Sequence, residues 1–130
     1  MRDAVIVSGA RTPIGSFGGV FKDVSASDLG AVAIRAALAR AGLEPNQVDE
    51  VFMGNVLQAE EAGYTARLSA LRAGIPSEVP AITVNRACSS GLEAINIAAS
   101  FIRSGEVEVA VAGGTENMSR SPFLLGYQSR

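Results

Sequence analysis

The strongest nucleophile in this sequence is its single cysteine, Cys88. Thiolates attack thioester carbonyls, and the first turn of a helix stabilises them because its backbone N–H groups lack partners. Cys88 follows an apolar run and precedes two serines and a glycine, which leave space for a substrate. This pattern indicates acyl transfer, with the Cys88 amide free to donate to an oxyanion. It is equally compatible with an inert cysteine packed in the core.

The sequence contains no histidine and no tryptophan. Histidine is the usual general base of enzymes at neutral pH, so we expect the base of a Cys88 reaction to come from another segment. One thiol without histidine can form neither an internal disulfide nor a structural zinc site. We therefore predict no metal site and a reducing, cytoplasmic location. The apolar run near the start of the chain is too short for a signal peptide, which agrees with this location.

The composition is that of a globular protein, with 48% apolar and 18% charged residues among 130. The net charge is -2, and no run of like charges occurs. These values argue against a nucleic acid partner. No apolar run approaches the length of a transmembrane helix, so we also predict no membrane partner.

Apolar runs and helical spacing alternate along the chain. We predict strands at residues 4–7, 51–54, 81–84 and 107–112. We predict one helix from the N-cap Ser27 to the stop signal Gly42, and two more at residues 64–73 and 89–103. Nearly continuous apolar strands joined by helices indicate an α/β fold, with a mainly parallel sheet covered by helices on both faces.

Other residues could do chemistry, but their patterns are less specific. The glycine-rich residues 15–19 lack the spacing of a nucleotide-binding loop, and we interpret them as a surface loop. Arg67, Arg72 and Arg86 could contact the phosphates of a ligand, although such arginines are usually solvated or paired. Glu116 is either a structural hydrogen-bond acceptor or a solvated acid, and we favour the structural role.

Residues 84–94, VNRACSSGLEA, resemble the acyl-enzyme signature of thiolases, which form or cleave 3-ketoacyl-CoA. Three further segments resemble thiolase motifs and occur in the family's order. Residues 8–19 are similar to its opening, residues 54–58 to its second-strand segment, and residues 112–119 to its Gly-Gly-x-Glu-x-Met-Ser segment. This agreement favours Cys88 as an acyl carrier over the packing alternative.

The resemblance implies the amino-terminal half of a thiolase-like layered fold. Residues 1–118 would be an incomplete amino-terminal domain, and residues 119–130 the start of the loop domain. It also implies that Cys88 takes an acyl group from one acyl-CoA and that a second acyl-CoA then condenses with it, for example giving acetoacetyl-CoA and CoA from two acetyl-CoA. The substrates would be CoA thioesters, with no further cofactor, and the residues that bind CoA are unassigned.

Thiolases also use a histidine, a second cysteine and an asparagine-held water. The histidine and second cysteine motifs lie in the family's carboxyl-terminal half, so the resemblance implies a complementary chain or segment that carries them. It further implies a homodimer or homotetramer. Two alternatives stay open, namely a related ketoacyl synthase or HMG-CoA synthase, and an inactive interaction module with the same fold.

Overall fold

A computed structural model describes residues 2–129 of the chain. Within that range the chain forms three strands and three α-helices in alternation. They are α1 (Ala26–Ala41), β1 (Glu50–Gly54), α2 (Thr65–Arg72), β2 (Ala81–Val84), α3 (Ser90–Ser104) and β3 (Ala110–Gly114). Short 3-10 helices occur at Pro45–Gln47, Gln58–Glu61, Met118–Arg120 and Tyr127–Ser129.

The three strands form a parallel sheet in the order β2-β1-β3. Gly54, the last residue of β1, pairs with Val84 of β2 and with Gly114 of β3. All five residues of β1 are buried, as expected for the central strand of a covered parallel sheet. Because the strands are parallel and end in register, the loops that follow them meet at one edge of the sheet.

Helices cover both faces of the sheet. Val51 and Met53 point to one face, where they pack in a buried cluster with Ile34 of α1 and Ala70 of α2. Phe52 points to the opposite face and meets Phe101 of α3 edge to face, with ring centroids 5.2 Å apart. This alternation follows from the two-residue period of a strand. The predicted α/β fold, with helices on both faces of a parallel sheet, is confirmed.

The helix ends follow local sequence signals closely. Gly42 closes α1 in the left-handed conformation (φ 68°), and Gly105 closes α3 in the same way (φ 82°). The second and third helices begin and end within one residue of the predicted bounds. The N-cap of α1 was predicted wrongly, because Ser25 rather than Ser27 caps it, with the Asp28 N–H donating to Ser25 Oγ at 3.1 Å.

The predicted strand at residues 4–7 is wrong, since these residues pair with no strand within the described chain. Val5, Ile6 and Val7 are 71%, 83% and 71% exposed. A cavity of about 490 Å³ is lined by this segment together with β3 and α1. The β-branched run has the propensity of a strand, but a strand forms only where a neighbour offers backbone partners.

The last strand begins at Ala110 rather than at the predicted residue 107. The Asp49 carboxylate accepts hydrogen bonds from the N–H groups of Glu108 and Val109, at 2.8 and 2.9 Å. These N–H groups are therefore bound by a side chain and not by a strand. The same two contacts, that of Val109 first, lower the pKa of Asp49.

Glu50 gives a prediction for stability, because it begins the central strand and is only 8% exposed. Burial, and secondarily the charge of Glu106, raise the pKa of Glu50. Its ionisation therefore opposes folding as pH rises above the ordinary carboxyl pKa. We expect Glu50→Gln to raise Tm at pH 7, and this gain to shrink as pH falls through the raised pKa, where the wild-type carboxyl is already protonated.

Thermal unfolding followed by circular dichroism between pH 4 and pH 7 measures this difference. Glu78→Gln is the matched control, because this substitution removes the same negative charge at an exposed position. A lower Tm for Glu50→Gln than for wild type at pH 7 would contradict the assignment.

Candidate active site

Cys88 lies at the edge of the sheet where the strand ends meet. It is a free, exposed thiol, two residues before the start of α3 and next to its N-cap Ser89. The predicted position at a helix N-terminus is therefore confirmed. An open cavity of about 300 Å³ is lined by Cys88, by the ends of β1 and β3, and by the first turn of α3. In the described structure Cys88 is not a packing residue of the core.

The turn that carries Cys88 has a strained backbone. Ala87 adopts φ 48°, a left-handed conformation that costs a residue with a Cβ roughly 1–2 kcal/mol. The Asn85 side chain holds the turn from within, since Asn85 Oδ1 accepts a hydrogen bond from the Ala87 N–H at 3.2 Å. Strain of this kind persists only where neighbouring contacts fix it, and it commonly marks functional loops.

Two serines beside Cys88 brace the same turn. Ser90 Oγ accepts a hydrogen bond from the Arg86 N–H at 2.8 Å and donates to the Ala87 carbonyl at 2.6 Å. Ser89 Oγ donates to the Arg86 carbonyl at 2.9 Å. From their type alone, these serines are small residues that leave space for a substrate. Their hydroxyls in fact connect the end of β2 to the start of α3.

Glycines allow the first turn of α3 to lie directly on the sheet. A Cβ on Gly54 would fall 2.5 Å from the Ser90 carbonyl carbon and 2.6 Å from the Gly91 nitrogen. A Cβ on Gly114 would lie 3.3 Å from the Gly91 Cα. The backbone of β3 therefore passes close to the first turn of α3 at Gly114. The sequence did not reveal the tighter approach at Gly54.

Asn55 is a buried residue whose hydrogen bonds connect the ends of the strands near Cys88. It is 1% exposed, and its N–H donates to the Val84 carbonyl at 3.0 Å. Its side-chain nitrogen donates to the Thr115 carbonyl at 3.0 Å and to Glu116 Oε1 at 2.7 Å. Its side-chain oxygen accepts from the Thr65 hydroxyl at 2.8 Å. One side chain therefore ties β1 to α2 and to the loop after β3.

Glu116 accepts hydrogen bonds from the loop that follows β1. Besides Asn55, the N–H groups of Val56 and Leu57 donate to its carboxylate at 2.9 and 3.2 Å. Charged acceptors make stronger hydrogen bonds than neutral ones, so this carboxylate fixes the course of residues 55–57. The interpretation of Glu116 as a structural acceptor is confirmed.

The three candidate arginines all make contacts within the chain. Arg67 donates to the Val79 carbonyl at 2.7 Å. Arg72 pairs with Glu61 at 2.9 Å, and Arg86 pairs with Glu93 at 2.6 Å. These contacts favour structural roles over phosphate binding.

The remaining motifs also have structural settings. Residues 13–18 are exposed, as predicted for a surface loop, and the Gly18 N–H donates to Ser119 Oγ at 2.8 Å. Across residues 2–129 no group of three or more metal-binding side chains comes together. Within the same range, no helix is both long and apolar enough to cross a bilayer.

Comparison with known proteins decides the family. A family model described as "Thiolase, N-terminal domain" matches residues 4–130. The chain belongs to the thiolase family. Among solved structures, the acetyl-CoA acetyltransferase of Bacillus anthracis is similar to this thiolase chain with a TM-score of 0.94 and 44% identity, over 98% of this chain and 32% of that one.

Two curated acetyl-CoA acetyltransferases are similar to this thiolase chain in sequence. The protein of Cupriavidus necator is 53% identical over 125 residues, which are 96% of this chain and 32% of that protein. The protein of Syntrophomonas wolfei is 48% identical over 124 residues, or 95% and 31%. The chain therefore spans about a third of the length of these relatives. The domain boundary after residue 118 remains a prediction.

The contact at Gly54 gives a second prediction. In Gly54→Ala the new methyl would overlap the backbone of Ser90 and Gly91, which cannot rotate away as a side chain could. We expect a loss of about 1–3 kcal/mol in the free energy of unfolding, as for other overpacked sites. Urea unfolding measures the loss, and the alkylation rate of Cys88 by iodoacetamide should change with it, because α3 must shift.

Gly9→Ala is the matched control, because a Cβ at Gly9 has no atom within 4 Å. That variant should unfold as wild type does. Equal stability of the two variants would show that α3 does not need the close approach to β1.

Proposed function

We propose that these residues belong to an acetyl-CoA acetyltransferase-type thiolase that forms or cleaves 3-ketoacyl-CoA through an acyl-Cys88 intermediate. The observation that carries the proposal is a free thiol on a strained strand-to-helix turn, beside an open cavity, in a chain of the thiolase family. The relatives named above are acetyl-CoA acetyltransferases, which supports acetyl-CoA as a substrate.

The first half-reaction transfers an acyl group to sulfur. A base takes the proton of Cys88, and the resulting thiolate attacks the thioester carbonyl of an acyl-CoA. The bond from carbonyl carbon to CoA sulfur breaks, and the base returns the proton to the departing CoA sulfur. The oxyanion that forms on the carbonyl needs N–H donors, and the Cys88 amide is a candidate. Three glycines and Ser90 line the cavity, and these small residues leave room for the incoming carbonyl.

The second half-reaction forms the carbon–carbon bond. A base removes a proton from the carbon next to the thioester of a second acyl-CoA. The resulting carbanion attacks the acyl-Cys88 carbonyl, the bond to sulfur breaks, and Cys88 is released as 3-ketoacyl-CoA forms. Cleavage of 3-ketoacyl-CoA by CoA is the reverse of this sequence. CoA thioesters are substrates in both directions, and no other cofactor enters the scheme.

We further propose that a segment outside these 130 residues supplies the base. The chain has no histidine and one cysteine, and both half-reactions need proton transfers that a single thiol cannot provide. The relatives are about three times as long, which leaves ample chain for a histidine and a second cysteine. The proposed segment belongs either to the same polypeptide or to a separate chain.

Exposed apolar side chains support such a segment. Large apolar residues are exposed near both ends of the described chain, and clustered exposure of such residues usually marks contact surfaces. They are Val5, Ile6, Val7, Phe123, Leu124 and Leu125.

We also propose assembly of the completed protein as a dimer or tetramer, and a cytoplasmic location.

Replacement of the nucleophile tests the proposed function. In Cys88→Ser, acetyl transfer from acetyl-CoA should fall to background, because a hydroxyl is far less nucleophilic than a thiolate at neutral pH. Folding should be unchanged, since Cys88 is exposed and the exchange is nearly isosteric. The experiment uses the chain together with its completing segment.

The readout is the mass of the tryptic peptide of residues 87–103 after incubation with acetyl-CoA, alongside turnover of acetoacetyl-CoA. Ser100→Ala is the matched control, because Ser100 is an exposed serine of α3 that lies outside the cavity beside Cys88 and within the same tryptic peptide. Wild-type turnover in Cys88→Ser would refute the acyl carrier. A folded wild-type protein that never gains an acetyl group would favour the inactive interaction module.

The requirement for another segment is tested separately. Residues 1–130 alone should not catalyse thiolysis of acetoacetyl-CoA, whereas addition or fusion of the completing segment should restore turnover. A histidine-to-alanine change in that segment should remove the restored activity. Full turnover by residues 1–130 alone would show that a group within this chain acts as the base.

A further inference from the structure

We infer that Glu116 is a positioning residue for Cys88, acting through the loop at residues 55–57 and the side chain of Asn85. This inference rests on the proposed function of Cys88 and deepens it. Glu116 and Cys88 line the same cavity, although they belong to different loops.

The contact path begins at the Glu116 carboxylate. Its three protein partners are all donors, namely the side chain of Asn55 and the N–H groups of Val56 and Leu57. Because each partner brings a hydrogen to the carboxylate, a group at position 116 that carries its own N–H cannot satisfy all of them. A carboxylate, which only accepts hydrogen bonds, therefore suits this position. Its bond with the Leu57 N–H holds the peptide group between Val56 and Leu57 in one orientation.

The path continues to the turn that carries Cys88. The Val56 carbonyl accepts a hydrogen bond of 3.4 Å from the Asn85 side-chain nitrogen. The oxygen of the same Asn85 side chain accepts from the Ala87 N–H at 3.2 Å. Ala87 is the strained residue directly before Cys88. A change in the orientation of the peptide group between Val56 and Leu57 therefore reaches the turn through the side chain of Asn85.

Glu116 also fixes the floor of the site through Asn55. The N–H of Asn55 donates to Val84, the last residue of the strand that leads into the Cys88 turn. The loop after β3 is anchored independently, since the Thr115 hydroxyl donates to the Ala26 carbonyl at 2.6 Å. Glu116 consequently acts from a fixed point, and its contacts lead to the loop after β1 and from there to the turn that carries Cys88.

The test measures acetylation of Cys88 per folded molecule in the completed protein. In Glu116→Gln, one amide hydrogen must face a donor. We expect the maximal single-turnover acetylation rate to fall about tenfold to a hundredfold, as for small misplacements of reacting groups. The acetyl-CoA concentration at half-maximal rate should stay within about twofold of wild type, since the proposal concerns the orientation of the thiol and not CoA binding.

Glu78→Gln is the control for loss of one negative charge, because Glu78 is exposed and lies outside the site. Asn85→Ala is the second variant, because it removes the last link and leaves the Glu116 cluster intact. It should lower the acetylation rate in the same way. The double variant should be no slower than the slower single variant, because both changes interrupt one path.

The outcomes separate this inference from the proposed function. A wild-type rate per folded molecule in Glu116→Gln, or multiplied losses in the double variant, would overturn the path. If Glu116→Gln does not fold, Asn85→Ala decides alone, and a wild-type rate in that variant would overturn it. If wild-type Cys88 is never acetylated, the proposed function fails and alkylation by iodoacetamide at fixed pH replaces acetylation. A severalfold slower alkylation in both variants would then support the path, and unchanged alkylation would refute it.

Discussion

The whole site depends on the way β1 ends. At Gly54 the strand lacks a side chain, and the first turn of α3 occupies that space against the sheet. The next residue, Asn55, lies just beyond the strand and has a buried side-chain amide whose nitrogen and oxygen both have hydrogen-bond partners. Leaving one of these groups unpaired would cost a desolvation penalty of about 1–3 kcal/mol. This cost favours the arrangement of the loops in which every group of the Asn55 amide is paired.

That arrangement explains how a strained turn can persist beside a reactive thiol. Ala87 in the left-handed conformation would be disfavoured in an isolated peptide. Here Asn85 and Ser90 bond to the turn from both sides, and α3 continues from it as a rigid element. The helix is in turn held on the sheet by Phe52 and Phe101. Core packing on one face of the sheet thus offsets the free-energy cost of the strained backbone at Ala87.

Features set by neighbouring residues were predictable from the sequence. Glycine at positions 42 and 105 ends its helix, and Cys88 lies where an apolar strand gives way to a helix start. Features set by distant residues were not. Asn55 and Glu116 are 61 positions apart, so no local pattern shows that they bond to each other. Residues 4–7 have the composition of a strand, but pairing depends on a partner elsewhere in the chain.

The N-cap of α1 shows the same limit at shorter range. Ser25 and Ser27 are both chemically suited to cap a helix. Ser27 is instead fully buried within the first turn, where its hydroxyl donates to Glu61 Oε1 at 2.5 Å and also contacts Arg72. The choice between the two serines is therefore made by α2 and the preceding 3-10 helix, which lie more than thirty residues away.

Under the proposed function, the exposure of Cys88 itself has a physical consequence. Water screens a thiolate and competes for the donors of an oxyanion, so electrostatic stabilisation is worth most in a site that excludes water. In the described chain the cavity beside Cys88 is open to solvent. The segment that brings the base must therefore also cover this opening, because a base placed at the end of an uncovered loop would act in high dielectric. The rigid edge formed by Asn55, Glu116 and the Cys88 turn offers such a segment a preformed surface. Acyl transfer would then require the two parts to meet at one place, with orientation supplied by these residues and proton transfer supplied by the other segment.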